Sequence, residues 1–135
     1  MSCPSVEAFV VRVYYEDTDS SGRVYHASFL RFLERGRTEW LRRLGVSQQE
    51  IAGSSGILFA VRRLQIEFLA PALMDDELRV ETCISALRGA SIEFRQRVLR
   101  GDAELVAATV LVAAIRDGRP TRIPDILRRQ FKATT

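Results

Sequence analysis

The sequence predicts an α+β fold, an antiparallel five-stranded sheet wrapped around one long central helix. Three observations carry this reading. A single segment, from about His26 or Ala27 to Leu44, has the three- and four-residue spacing of a long amphipathic helix. The other apolar segments show two-residue alternation, or short apolar runs, bounded by turn residues. An antiparallel sheet with an apolar face needs covering, and that helix is the only element expected to be able to cover it.

The first alternating segment is Phe9 to Glu16, with Phe9, Val11, Val13 and Tyr15 pointing one way. It stops at Asp17-Thr18-Asp19-Ser20-Ser21-Gly22, residues that favour turns. On the helix, Phe29, Leu30, Leu33, Gly36, Arg37, Trp40, Leu41 and Leu44 form one broad face, and Gly45 ends it as a C′ residue would. Gly36 weakens helix propensity on the packed face, which implies close approach to another backbone. Ser47 to Ala52 adds one short helical turn. Four strands follow: Ile57 to Leu69, Leu78 to Ala86, Ser91 to Arg100 and Glu104 to Ile115. Tight turns at Asp75-Asp76, Gly89 and Gly101-Asp102 join them, and the last is apolar on both faces, as a central strand would be. Asp117-Gly118 makes a further turn, and Pro124 opens a short helix through Phe131. Residues 1–135 read as one domain, with about 1–8 as an N-terminal extension and about 124–135 as a C-terminal helix and tail. A sheet curled around one helix is the hotdog architecture. Its open edge and open face make a dimer or larger homo-oligomer the physical expectation.

Bulk composition narrows the function classes. A chain of 135 residues with 47% hydrophobic content suits one core and is too short for two. Lys+Arg 20 against Asp+Glu 17 gives a net charge of +3, and Lys132 is the only lysine. No basic run is dense enough for a nucleic-acid arm. Cys3 and Cys83 form neither a C-x-x-C pair nor a metal-ligand cluster; two lone cysteines are no disulfide framework and fit a cytosolic setting. The N-terminus lacks the basic and apolar regions of a signal peptide. The longest apolar run, Leu105 to Ile115, is too short to span a bilayer. A cytoplasmic location without membrane insertion is therefore expected.

Chemistry concentrates in Tyr14-Tyr15-Glu16-Asp17-Thr18-Asp19-Ser20-Ser21-Gly22-Arg23-Val24-Tyr25-His26-Ala27, which sets carboxylates just before the longest helix. A helix N-terminus exposes unpaired N–H groups and carries about half a positive charge. A carbonyl docked there is polarised and its oxyanion stabilised. A facing carboxylate can attack that carbonyl or activate a water. A thioester suits so spare a site, because a thiol of pKa about 8.5 departs as thiolate without a dedicated acid.

Each residue also has a plainer reading. Asp before a helix most often caps it or closes a turn, and spacing alone favours that role for Asp17 and Asp19. The loop imitates a calcium site, but Ser28 stands at position twelve where a bidentate Glu belongs, so calcium is rejected. His26 is the only histidine, which leaves no histidine cluster for a metal. Its backbone N–H is a better candidate than its ring, whose plain role is packing against the sheet. No G-x-S-x-G elbow, G-x-G-x-x-G fingerprint or Walker A loop occurs.

The segments Val13-Tyr14-Tyr15-Glu16-Asp17-Thr18-Asp19, Gly22, Val24-Tyr25-His26-Ala27 and Glu34-Arg35-Gly36-Arg37-Thr38-Glu39-Trp40-Leu41 closely resemble the tol-pal-associated acyl-CoA thioesterases. These belong to the wider 4-hydroxybenzoyl-CoA thioesterase group of hotdog enzymes. Ile66-Glu67-Phe68, Pro71-Ala72, Asp75-Asp76 and Leu87-Arg88-Gly89-Ala90-Ser91 extend the likeness over nearly the whole chain. The resemblance implies that Asp19 is the catalytic carboxylate and that the His26 amide polarises the thioester carbonyl. It also implies that Arg88 and Ser91 help hold the CoA phosphates, with Arg62 and Arg63 as weaker candidates. Tyr15, Val24 and Tyr25 flank the motif and are expected to contact substrate. Coenzyme A enters as part of an acyl-CoA substrate, with no cofactor and no metal. A tetramer built from dimers, sites at the dimer interface, a cytoplasmic setting, a link to envelope maintenance and acyl carrier protein as a further partner are implied in the same way.

Two rivals stand beside this reading. A hotdog hydratase or dehydratase would use His26 as its base. A non-catalytic module would bind acyl carriers or envelope partners without releasing a thiol. Phe59, Val61, Trp40 and Tyr15 are candidate pocket residues, although core packing is the stronger expectation for the helix face.

Overall fold

The computed structural model describes residues 8–133. Its elements are β1 (Phe9–Arg12), a 3-10 turn (Tyr15–Asp17), α1 (Ser28–Arg43), α2 (Gln48–Ser55) and β2 (Leu58–Phe68). They continue as β3 (Glu77–Leu87), β4 (Ser91–Arg100), β5 (Ala103–Arg116), β6 (Arg119–Pro120) and α3 (Asp125–Lys132). The sheet is antiparallel, in the order β1-β3-β4-β5-β2, with the two-residue β6 added to β5. This is the α+β hotdog layout, with one small strand beyond the five expected.

The order corrects one expectation. Strand β2 is not joined to β3 as a hairpin; it crosses to the far edge and pairs with β5, while β3 pairs with β1 and β4. Strand β5 is internal, which accounts for its apolar character on both faces.

The core lies between α1 and the concave face of the sheet. Phe29, Phe32, Leu33, Gly36, Trp40 and Leu41 are the buried face of α1. Leu30, expected inside, is 40% exposed, while Phe32 is sealed at 0%. The reason is angular: position 32 follows 29 and precedes 36 on one stripe, whereas 30 is rotated about 100° off it. Gly36 is closely packed as its position suggests, but against side chains of the sheet rather than another backbone. A Cβ there would stand 2.6 Å from Val80 Cγ1 and 3.3 Å from both Gln96 Nε2 and Thr82 Oγ1.

Helix α1 does not cover the sheet alone. Leu127 and Phe131 of α3 are buried, and the Phe131 ring stacks on Trp40 at 6.2 Å. Burial of a side chain such as Phe131 stabilises the fold by about 2–3 kcal/mol. Cys83 is not a free thiol, which corrects the reading of lone cysteines at that position; Cys3 lies outside the described residues. Linear spacing carried no sign of it.

Candidate active site

Strand β1 ends four residues earlier than its alternation suggests, and Asp17 is the cause. Asp17 Oδ2 accepts the Tyr14 N–H at 2.9 Å, and Asp17 N donates to Tyr14 O at 3.0 Å, closing the 3-10 turn. A short carboxylate that satisfies a nearby N–H offers the backbone an alternative to the sheet ladder. Asp17 is 6% exposed, with Oδ1 3.3 Å from Arg31 Nη2, and its carbonyl accepts Tyr25 N at 2.8 Å. This residue builds the loop.

Asp19 is different. Its backbone shapes a tight hairpin: Asp19 N donates to Arg23 O at 2.8 Å and Gly22 N to Asp19 O at 3.1 Å, with Thr18 bridged to Val24. Gly22 takes a φ of 80°, a left-handed conformation that suits glycine. The side chain is exposed, and Oδ1 receives both the Ser21 N–H (2.8 Å) and the Ser21 hydroxyl (2.5 Å). The turn-forming role is therefore real. Oδ2 makes no hydrogen bond among the described residues. The Ser21 hydroxyl, then the Ser21 N–H, with smaller help from Arg23, hold the carboxyl below its ordinary value of 3.8.

The carboxylate opens on a cavity of about 390 Å³ lined by Tyr15, Thr18, Asp19, Ser20, Gly22 and Met74. Met74 comes from the loop between β2 and β3, and nothing in its local sequence marks it. Tyr15 is 80% exposed at this cavity. Val24, expected to touch substrate, is instead a core residue at 7% exposure, because its bridge to Thr18 turns its side chain inward.

Next in the chain, Tyr25 and His26 lead into α1. Both are exposed, their rings 4.6 Å apart, and the His26 ring meets Phe68 at 6.1 Å. No side chain caps this helix, and its first turn holds no acid. Ser28 N donates to Tyr25 O, Phe29 N to His26 O and Leu30 N to Ala27 O. The N–H groups of His26 and Ala27 find no acceptor among the described residues. Two open donors therefore sit at the positive end of the longest helix.

The remaining expected residues lie elsewhere. Arg88 N donates to Ser91 O at 2.9 Å, so these two meet at the β3–β4 hairpin, where Arg88 is also 3.8 Å from Glu93. Arg62 sits exposed at a bulge in β2, near the same end of the sheet. Met74 and Asp19 lie at the other end of β3, whose 11 residues span roughly 35 Å. One chain does not bring Asp19 together with Arg62, Arg88 and Ser91. Of the other candidates, Phe59 and Val61 line a second cavity, and Trp40 is core. Among the described residues no three His, Cys, Asp or Glu side chains are grouped as metal ligands. No helix of the described residues is long and apolar enough to cross a membrane.

An antiparallel sheet packed on one long helix is the hotdog layout, and the comparisons place it among the thioesterase-type hotdogs. A profile of the thioesterase-like superfamily matches residues 13–131, and the chain belongs to that family. It is 44% identical to the acyl-CoA thioesterase YbgC of Haemophilus influenzae over 126 residues, covering 92% of this chain and 93% of that one. It is 42% identical to the acyl-CoA thioester hydrolase YbgC of Escherichia coli, over 90% of this chain and 92% of the relative. The crystal structure of a probable thioesterase from Bartonella henselae superimposes with a TM-score of 0.84 at 43% identity, covering 87% of this chain and 98% of that chain. A hypothetical protein of Thermus thermophilus gives 0.89 at 27% identity, covering 95% and 98%.

Proposed function

We propose that this protein hydrolyses acyl-CoA thioesters to a carboxylic acid and free CoA, with Asp19 as the reacting carboxylate. The support in the comparisons is the set of relatives named acyl-CoA thioesterase, which match nearly end to end. The observation that carries the residue assignment is the contrast between two neighbouring acids. Asp17 is buried and fully engaged, whereas Asp19 is exposed, ionised and keeps one oxygen open to a cavity.

In this reading the thioester carbonyl docks on the open N–H groups of His26 and Ala27, and the developing oxyanion rests on the positive end of α1. Asp19 either attacks the carbonyl carbon, giving a mixed anhydride that water then opens, or takes a proton from the attacking water. In both routes the C–S bond breaks and the pair leaves on sulfur as CoA thiolate. The step needs no metal or redox cofactor, because the leaving thiolate is already a weak base.

The distant arginines fit a site shared by two copies. Strand β2 has 11 residues and an unpaired edge. An antiparallel pair of β2 strands across a twofold axis lays the Leu58 end of one chain beside the Phe68 end of the other. Arg62, Arg88 and Ser91 of a second copy then approach the Asp19 end of the first, where they can hold CoA phosphates. A tetramer of such dimers and a cytoplasmic location complete the proposal.

The test is thiol release across a panel of saturated acyl-CoAs, with an enoyl-CoA alongside. Thiol release from the saturated members supports the reading. Hydration of the enoyl-CoA with no thiol released from any member would replace it with the His26-based hydratase.

A further inference from the structure

Positive charge is gathered toward the end of the sequence. From Arg116 to Lys132 six cations stand against two acids, Asp117 and Asp125, a net charge of +4 where the whole chain carries +3. The remaining residues therefore sum to −1. Asymmetry of this kind points to a charged partner. Helix α3 turns that charge outward. Its Leu127 and Phe131 are buried, Gln130 donates to Leu44 O at 3.1 Å, and Arg128 donates to Arg88 O at 2.7 Å. These contacts fix the rotation of the helix. Ile126, Arg129 and Lys132, three residues apart, are then left on the exposed side.

Ile126 is 66% exposed on this face, an apolar side chain that the fold does not use. Arg122, just ahead of the helix, lies 3.6 Å from Asp125 in an exposed pair. Such a pair holds its cation weakly and leaves it available to a stronger field. The side chain of Arg129 makes no hydrogen bond or ion pair among the described residues. The patch also stands clear of the β2 edge, because α3 packs on β3, with β4 and β5 between β3 and β2. A pairing of two β2 strands leaves it uncovered.

We infer that this face of α3 docks the protein on the surface of an anionic lipid bilayer, with Ile126 among the headgroups and Arg122, Arg129 and Lys132 on lipid phosphates. A bilayer surface asks for positive charge and a little apolar area, and for no matched shape. A protein partner would need an apolar interface core. Ile126 is the one large hydrophobic side chain that α3 exposes. A nucleic-acid strand would need aromatic faces to stack on. The aromatic residue of α3, Phe131, is sealed at 0% exposure. Charge without shape favours the lipid. The docking is peripheral, goes beyond thioester hydrolysis and does not rest on Asp19.

The experiment sediments the full chain with vesicles of phosphatidylcholine, alone or with about 30% phosphatidylglycerol, at low salt and at about 0.5 M salt. Binding is expected only to the anionic vesicles, and it should fall steeply in the higher salt. Each cation at such a surface contributes about fivefold, so Arg122→Gln with Arg129→Gln should weaken binding roughly tenfold or more. Ile126→Ser should weaken it severalfold and leave the salt dependence unchanged. Arg12→Gln with Arg79→Gln removes the same charge near the other end of β3, where Arg12 meets Glu77 and Arg79 meets Gly101 O, and should change little. Equal losses in the two double variants would reduce the effect to net charge and overturn the inference. So would equal binding to phosphatidylcholine alone, or no sedimentation with either vesicle. Retention of polyglutamate without vesicle binding would overturn it in favour of an acidic protein partner.

Discussion

Ser21 gives both its N–H and its hydroxyl to the same oxygen of Asp19, at 2.8 and 2.5 Å. The pair orients the carboxylate and stabilises its charged form, so the carboxyl titrates below 3.8. The folded pKa is depressed, and the group therefore stays ionised as pH falls until it passes below the ordinary carboxylate range. Ser21→Ala removes the hydroxyl but keeps the N–H. A carbon-detected NMR titration of the Asp19 carboxyl should show its midpoint move upward in that variant. No movement would show that the hydroxyl does not set the charge.

Asp17 and Asp19 should separate cleanly under mutation. Asp17→Ala leaves the Tyr14 N–H without its acceptor and Arg31 with Ser28 Oγ in place of its carboxylate partner. The expected loss is about 1–3 kcal/mol in denaturant unfolding. Arg31 is half exposed, so most of that loss belongs to the N–H rather than to the ion pair.

Gly36→Ala tests the packing of α1 on the sheet. The added Cβ would meet Val80 Cγ1 at 2.6 Å, and a branched side chain on a central strand has little room to retreat. Overpacking of this kind destabilises by roughly 1–3 kcal/mol. Gly36→Ala combined with Val80→Ala should recover part of the loss. Additive losses would place the strain elsewhere.

The shared site makes a prediction that one chain acting alone cannot satisfy. Asp19→Asn and the double variant Arg62→Ala, Arg88→Ala are each expected to be poor enzymes. When the two are unfolded together and refolded as a mixture, half the sites of each mixed dimer are intact, and thiol release should recover well above either parent. No recovery would confine the site to a single chain.

The sequence carried the individual elements better than it carried the route of the chain. Strand β4 was legible residue by residue, because Ile92, Phe94, Gln96 and Val98 alternate inward against polar outward neighbours. Gly36 was legible because a glycine on the packed face of a helix needs a reason. The end of β1 was not, since it depends on which N–H the Asp17 side chain chooses. The place of β2 at the far edge was not either, because pairing between strands distant in sequence leaves no local periodicity. Local periodicity likewise hides that β3 holds Arg88 and Asp19 at opposite ends of one chain.

The most direct measurement compares acyl-CoA turnover and thermal unfolding of the unmodified protein with those of Asp19→Asn. Asparagine keeps an oxygen to accept the Ser21 donors, so the hairpin should survive and the melting temperature should hardly change. Thiol release should fall by at least a hundredfold. Turnover equal to that of the unmodified protein would show that some other group attacks the thioester.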